Sequence, residues 1–167
     1  MASGDTLLAL HPYNNEPPSS IYATLDTRNQ HPVLDFNDTT DEEAVFSAIL
    51  PRNYALSGLT VYIHYSMTSA EANEVVWQVA IERIGDQQLD IDGDSFAAFQ
   101  SSGAITVPGT TGLVDICTVA FTDGAQMDSI AVGELFRIKV RRDADSTSAT
   151  DDAAGDAELL AVEVKET

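Results

Sequence analysis

Leu59-Thr-Val-Tyr-Ile-His-Tyr-Ser-Met67 is the stretch whose reading decides the fold. Leu59, Val61, Ile63, Tyr65 and Met67 fall on one side of an extended chain, and Thr60, Tyr62, His64 and Ser66 fall on the other. A helix would scatter these apolar residues around its axis, whereas a strand gathers them on one face. The same period recurs three times. Val75, Trp77, Val79 and Ile81 oppose Gln78, Ala80 and Glu82; Phe136, Ile138 and Val140 oppose Arg137, Lys139 and Arg141; and Leu160, Val162 and Val164 oppose Ala161, Glu163 and Lys165. Each run predicts an antiparallel strand with one buried and one wet face. Shorter candidates lie at 7–11, 22–26, 33–36, 44–50 and 114–122. Glycines and the prolines Pro51 and Pro108 punctuate the gaps. Helix signals are confined to 95–100, with Asp94 as a candidate N-cap, and to 126–131.

Eight or so short strands with glycine-rich turns predict an all-β protein, an antiparallel β-sandwich of jelly-roll type. A lipocalin-like barrel is the alternative, but the chain shows no surplus of apolar inward positions. The predicted core comprises Leu59, Val61, Ile63, Trp77, Val79, Ile81, Phe121, Phe136, Ile138, Val140, Leu160 and Val162. Residues 1–20 read as a partly extended N-terminal arm or edge segment, and 21–167 as the sandwich. The arm carries Pro12, Tyr13, Pro17 and Pro18, which disfavour a central strand. It is either an ordinary loop on an edge strand or an arm that adds a strand to a neighbouring copy. Residues 143–156, with five aspartates, predict an exposed, mobile hairpin loop joining the last two strands.

The chain has 167 residues and 17.9 kDa, and 44% of it is hydrophobic, enough for the core of one domain. Its 27 acidic and 8 basic side chains leave a net charge of −19. That balance excludes nonspecific nucleic-acid binding and docking on an anionic membrane. The lone Cys117 cannot form an internal disulfide or a multi-cysteine zinc site. No run is apolar enough for a membrane helix, and the first residues lack a secretory pattern. These features lead to the expectation of a soluble protein made in a reducing compartment. Asn37-Asp38-Thr39 matches a glycosylation pattern that, without a leader, carries no weight.

Candidate chemistry is sparse. Asp90, Asp92 and Asp94 alternate like the start of a calcium loop. The positions that should hold a turn glycine and a bidentate glutamate hold Ser95 and Ser101. A calcium site built with another loop remains open against a solvated acidic turn. His11, His31 and His64 have no nucleophile elbow to serve. Cys117 sits in a strand pattern as a packed thiol. With so many acids, no carboxylate pair marks a glycosidase. No enzymatic activity and no bound cofactor are therefore expected. For sugar binding the candidate platforms are Tyr62, Tyr13, Tyr22 and Tyr54, while Trp77 reads as core. Arg137, Lys139, Arg141 and Arg142 put half of the positive charge on one strand. The C-terminal strand with Glu163 and Lys165 is expected to pair with it. That charge is either balanced within the chain or offered as a basic stripe to a partner.

Several runs then resemble a family of small tailed-bacteriophage and prophage-like virion proteins. They are Thr24-Leu-Asp-Thr-Arg-Asn-Gln-His-Pro-Val-Leu-Asp-Phe36, Asp41-Glu-Glu-Ala-Val-Phe46, Leu50-Pro-Arg-Asn-Tyr54, Gly58-Leu-Thr-Val-Tyr-Ile-His-Tyr65, Phe121-Thr-Asp-Gly-Ala-Gln-Met-Asp-Ser129 and Gly133-Glu-Leu-Phe-Arg-Ile-Lys-Val-Arg-Arg-Asp-Ala-Asp145. The resemblance runs from about residue 20 to the end and transfers no catalytic residue. It implies a jelly-roll particle component. The expected role is a capsid cement or decoration protein, made in the host cytoplasm and placed on the virion surface. Its expected partners are the major capsid protein and itself, as a homotrimer. Pro12, Tyr13, Pro17, Pro18, Arg137, Lys139, Arg141 and Arg142 are its candidate contacts. The alternative is a tail-fibre or tail-spike module that binds host glycans.

Overall fold

A computed structural model describes residues 4–167; the first three residues of the predicted arm lie outside the described residues. Ten strands follow in chain order: β1 (Thr6–Leu10), β2 (Thr24–Arg28), β3 (His31–Phe36), β4 (Glu43–Ile49), β5 (Leu59–Met67), β6 (Glu74–Arg83), β7 (Gln100–Thr106), β8 (Asp115–Phe121), β9 (Leu135–Arg142) and β10 (Ala157–Glu166). They build two antiparallel sheets. The first runs β2-β3-β10-β5-β8, with β1 also on β10, and the second runs β4-β9-β6-β7. The jelly-roll-type sandwich read from the alternation is the fold.

The alternating residues meet between the sheets. Trp77 is fully buried, with the Phe36 ring edge-on at 5.1 Å and the Tyr65 ring at 5.5 Å. Every residue of the predicted core is buried except Leu160. The register of β10 against β5 slips between Leu159 and Ala161, and Leu160 is the extra residue. A bulge of this kind turns one side chain away from its expected face. Leu159 fills the core in its place.

Other expectations change. The C-terminal strand pairs with β1, β3 and β5 and not with β9, so Glu163 and Lys165 lie in the sheet opposite to Arg137 and Arg141. Residues 95–99 form no helix, and Asp94 caps none: its carboxylate bonds the Arg137 guanidinium. The 126–131 signal yields one 3-10 turn, Ala125–Met127. The run 143–156 is anchored rather than loose. Arg142 is fully buried, and its Nη2 lies 2.7 Å from Asp151 Oδ1. The same guanidinium also donates to the carbonyls of Ala153 and Gly155. Such a pair is tolerated in the interior because each of the three guanidinium nitrogens finds an acceptor.

Candidate functional site

A groove crosses the outer side of the first sheet where β10 changes partners. β3 pairs with β10 at 157–159 and β1 pairs with it at 162–165, both on the same side. The bulged Leu160 faces the interval between them and lines two adjoining depressions. One, of about 410 Å³, lies between Arg28, His31, Ser66, Gly112 and Val114. The other, of about 450 Å³, lies between His31, His11, Pro12, Tyr13 and Asn14. A third, of about 250 Å³, continues from Tyr13 past Asn15 and Pro17 to Tyr22 and Leu25. His31 and Tyr13 each line two of the three, so the depressions adjoin in a row that forms the trough.

Local sequence builds its walls. Pro12 starts the 3-10 turn Pro12–Asn14, and Asn14 Oδ1 accepts from the His11 N–H at 2.9 Å. Proline fits the first position of such a turn because it has no N–H to satisfy. That turn holds the Tyr13 ring out, 71% exposed; Tyr22 is 47% exposed. Asn29 and Gln30, both at positive φ, close the two-residue β2–β3 hairpin that carries Arg28 and His31. Arg28 reaches over the strand to Glu158 and to the Met67 carbonyl at 3.0 Å. The Ser66 hydroxyl donates to the same Glu158 at 2.8 Å. Gly112, at φ +77°, leaves room for the guanidinium: a Cβ there would lie 2.9 Å from Arg28 Nη2.

Asp35 pairs with Glu158 across the β3–β10 ladder, beneath this wall. Its Oδ1 is buried without a partner. Burial, and then the neighbouring Glu158, Asp26, Asp156 and Glu42, push its carboxyl up to about 6.

The other sequence candidates lie elsewhere. Tyr62 is half-buried on the outer face of β5, with Lys165 Nζ 5.2 Å from its ring centre. His64 approaches Glu163 at 3.9 Å. Tyr54 is no platform, since it is buried and its hydroxyl donates to Asp123 at 3.0 Å. Cys117 is buried in β8, and burial pushes its thiol up to about 12, which leaves it unreactive. Pro12, Tyr13 and Pro17 line the trough; Pro18 lies by Ile21, Lys139 and Arg141.

The basic stripe is satisfied within the chain. Arg137 pairs with Glu82 and Asp94, Lys139 with Glu43 at 3.0 Å, and Arg141 with Asp41 at 3.2 Å. Phe96 lies under Arg137 and Lys139, at 5.0 and 4.4 Å, and Phe99 under Arg141, at 4.1 Å. Arg142 faces inward and leaves the stripe altogether. Alternation could not reveal this cover, because residues 94–99 have no period of their own.

The acidic residues converge at a different place from the one expected. Asp90, Asp92 and Asp94 stay on an exposed turn, where Asp90 Oδ1 accepts from the Asp92 N–H. Among the described residues, Asp41, Asp143 and Asp145 are the acids whose oxygens gather within 4.8 Å. Burial pushes Asp143 up, but hydrogen bonds from Ser148 and Thr147 outweigh it and hold the carboxyl down at about 2. Its acceptor sites are already used.

No family model matches this chain, and no curated protein matches it in sequence. Solved structures match it in fold. A family 35 carbohydrate-binding module from an environmental isolate superposes with a TM-score of 0.53 at 11% identity, over 96% of this chain and 93% of that one. The CBM36-1 domain of a multidomain xylanase from the hindgut metagenome of Trinervitermes trinervoides gives 0.51 at 8%, over 96% and 97%. A xylan-binding module, CBM15, gives 0.50 at 10%, over 99% and 95%. At such identities the likeness is one of fold.

Proposed function

We propose that the chain is a glycan-binding β-sandwich module, that the trough is its binding site, and that its ligand is a neutral polysaccharide. One observation carries the reading. Tyr13 is exposed yet held by a proline-started turn, and Tyr22 extends the same trough beside the amide side chains of Asn14 and Asn15. A pyranose ring has an apolar face and a rim of hydroxyls, so it suits an aromatic platform flanked by amide and imidazole groups. A platform already fixed in place loses little entropy on binding. The fold likeness to carbohydrate-binding modules supports the same reading. The charge of −19 disfavours acidic polysaccharides.

Affinity electrophoresis and calorimetry with xylan, β-glucan and cello-oligosaccharides test this. The native chain should bind at least one of them. Tyr13→Ala should weaken that binding by about 10- to 30-fold, the cost of losing a central aromatic anchor. Tyr62→Ala, outside the trough, should leave it unchanged. Full affinity in both Tyr13→Ala and Tyr22→Ala would remove the trough from the account. Failure with every neutral polysaccharide would remove the glycan reading.

Capsid decoration has less support. Of the contacts it would use, the strand of the arm is laid on the chain's own β10, and the cations of β9 are paired internally.

A further inference from the structure

We propose that the free edge of β8 is a homodimer interface, at which β8 of one copy pairs antiparallel with β8 of a second. The inference is independent of the glycan reading.

β8 ends the first sheet, and its ladder partner is β5. Asp115 Oδ1 takes the Ile116 N–H at 2.9 Å. From Cys117 to Phe121, no backbone hydrogen bond among the described residues reaches the other side of the strand. β7 lies alongside, in the second sheet, without a ladder to β8. Exposed edges are templates for further strands, and proteins ordinarily blunt them with lysine, proline, a bulge or a covering segment. The chain does this at the far edge of its second sheet. There the Glu16 N–H bonds the Val45 carbonyl at 2.7 Å, and Asn15 Oδ1 accepts from the Val45 N–H, so residues 15–16 sheathe β4. β8 has few of these devices: Asp115 is its one charged side chain, and β7 beside it forms no ladder. β8 holds no lysine or proline, and its register with β5 runs from Asp115 to Phe121 without a slip.

Charge selects the occupant. Residues 95–122 carry one charged side chain, Asp115, whereas 21% of the whole chain is charged. Two copies at −19 each repel one another over most of their surfaces. The β8 edge is one place where they can approach with little repulsion. A strand paired antiparallel with its own copy forms an isologous, closed contact. Centred on Thr118, the pairing sets Ile116 of each copy across from Ala120 of the other, large against small. Ile116, at 50% exposure, then gains cover.

Sedimentation equilibrium of the whole chain in about 0.15 M salt, where the Debye length is about 8 Å, over about a hundredfold range of concentration, tests this. The native chain should reach twice its 17.9 kDa. Thr118→Glu puts like charges face to face on an exposed position, and should raise the dimer dissociation constant by about tenfold or more with unchanged circular dichroism. Ala120→Glu should do the same and serves if the first variant misfolds. Hydrogen exchange of the native chain should show amides of 117–121 more protected in concentrated solution. A monomer at every concentration, a trimer, or a dimer that both variants leave intact would each overturn the proposal.

Discussion

Asp35 shows what one carboxylate can cost a sheet. Its Oδ1 is buried without a donor, and its cross-strand neighbour is another acid, Glu158. Its pKa rises from the ordinary 3.8 to about 6. The folded chain therefore favours the protonated form. Its contribution to stability is fully present below about 3.8 and is lost as pH rises through about 6. Asp35→Asn should make the protein more stable than the native chain at pH 7, with the difference shrinking as pH falls below 6. Urea titrations at a series of pH values measure it; equal stability at pH 7 would contradict the argument. Asp143 works the other way. Its stabilisation is present above 3.8 and lost as pH falls toward 2. Neither behaviour is legible from the sequence, where Asp35 and Asp143 look like any of the chain's other acids. The core was legible because alternation reports which face a side chain takes. Arg142 was not, because an arginine that ends a strand reads as solvated until a buried Asp151 appears across from it.

Elements were read well where both faces of a strand differ and poorly where they do not. β5 and β9 declare themselves by contrast between faces. β7, Gln-Ser-Ser-Gly-Ala-Ile-Thr, has hardly any apolar face and went unread. β6 is buried on both sides: Glu82 accepts from Ser95 of the segment 94–99 that straps the second sheet, and Gln78 accepts from Arg141, which Phe99 covers. That strap is held by the Ala97 N–H on the Ile81 carbonyl at 2.9 Å, by Ser95 on Glu82, and by Phe96 and Phe99 on the β9 cations. Phe96→Ala removes two cation–π contacts and should destabilise the chain by about 1–2 kcal/mol. Amides of 95–99 should exchange faster while those of β6 and β9 keep their protection. Unchanged exchange in 95–99 would mean that the ring does not hold the strap. The trough also lies at this scale. Tyr13 and Tyr22 were visible as candidate platforms. The bulge that aims Leu160 outward was not, because a register slip belongs to the pairing of two strands and leaves no mark in either alone.

The whole molecule spends its few cations inward. Six of the eight basic side chains, Arg28, Arg83, Arg137, Lys139, Arg141 and Arg142, are in ion pairs with the chain's own acids. Most of the 27 acids have no cation to pair with, so screening should relieve repulsion more than it weakens these mostly half-buried pairs. The melting temperature should therefore rise between low salt and 1 M sodium chloride, where the Debye length is about 3 Å. A fall would show that the ion pairs dominate. The placement of β10 has a further consequence. The last strand in sequence is hydrogen-bonded to β1, β3 and β5 in the middle of its sheet, and the Gly4 N–H bonds the Glu166 carbonyl at 2.8 Å. On the ribosome, β4, β6, β7 and β9 are all made before β10. The second sheet can assemble while the first still has an open slot, and β10 fills that slot.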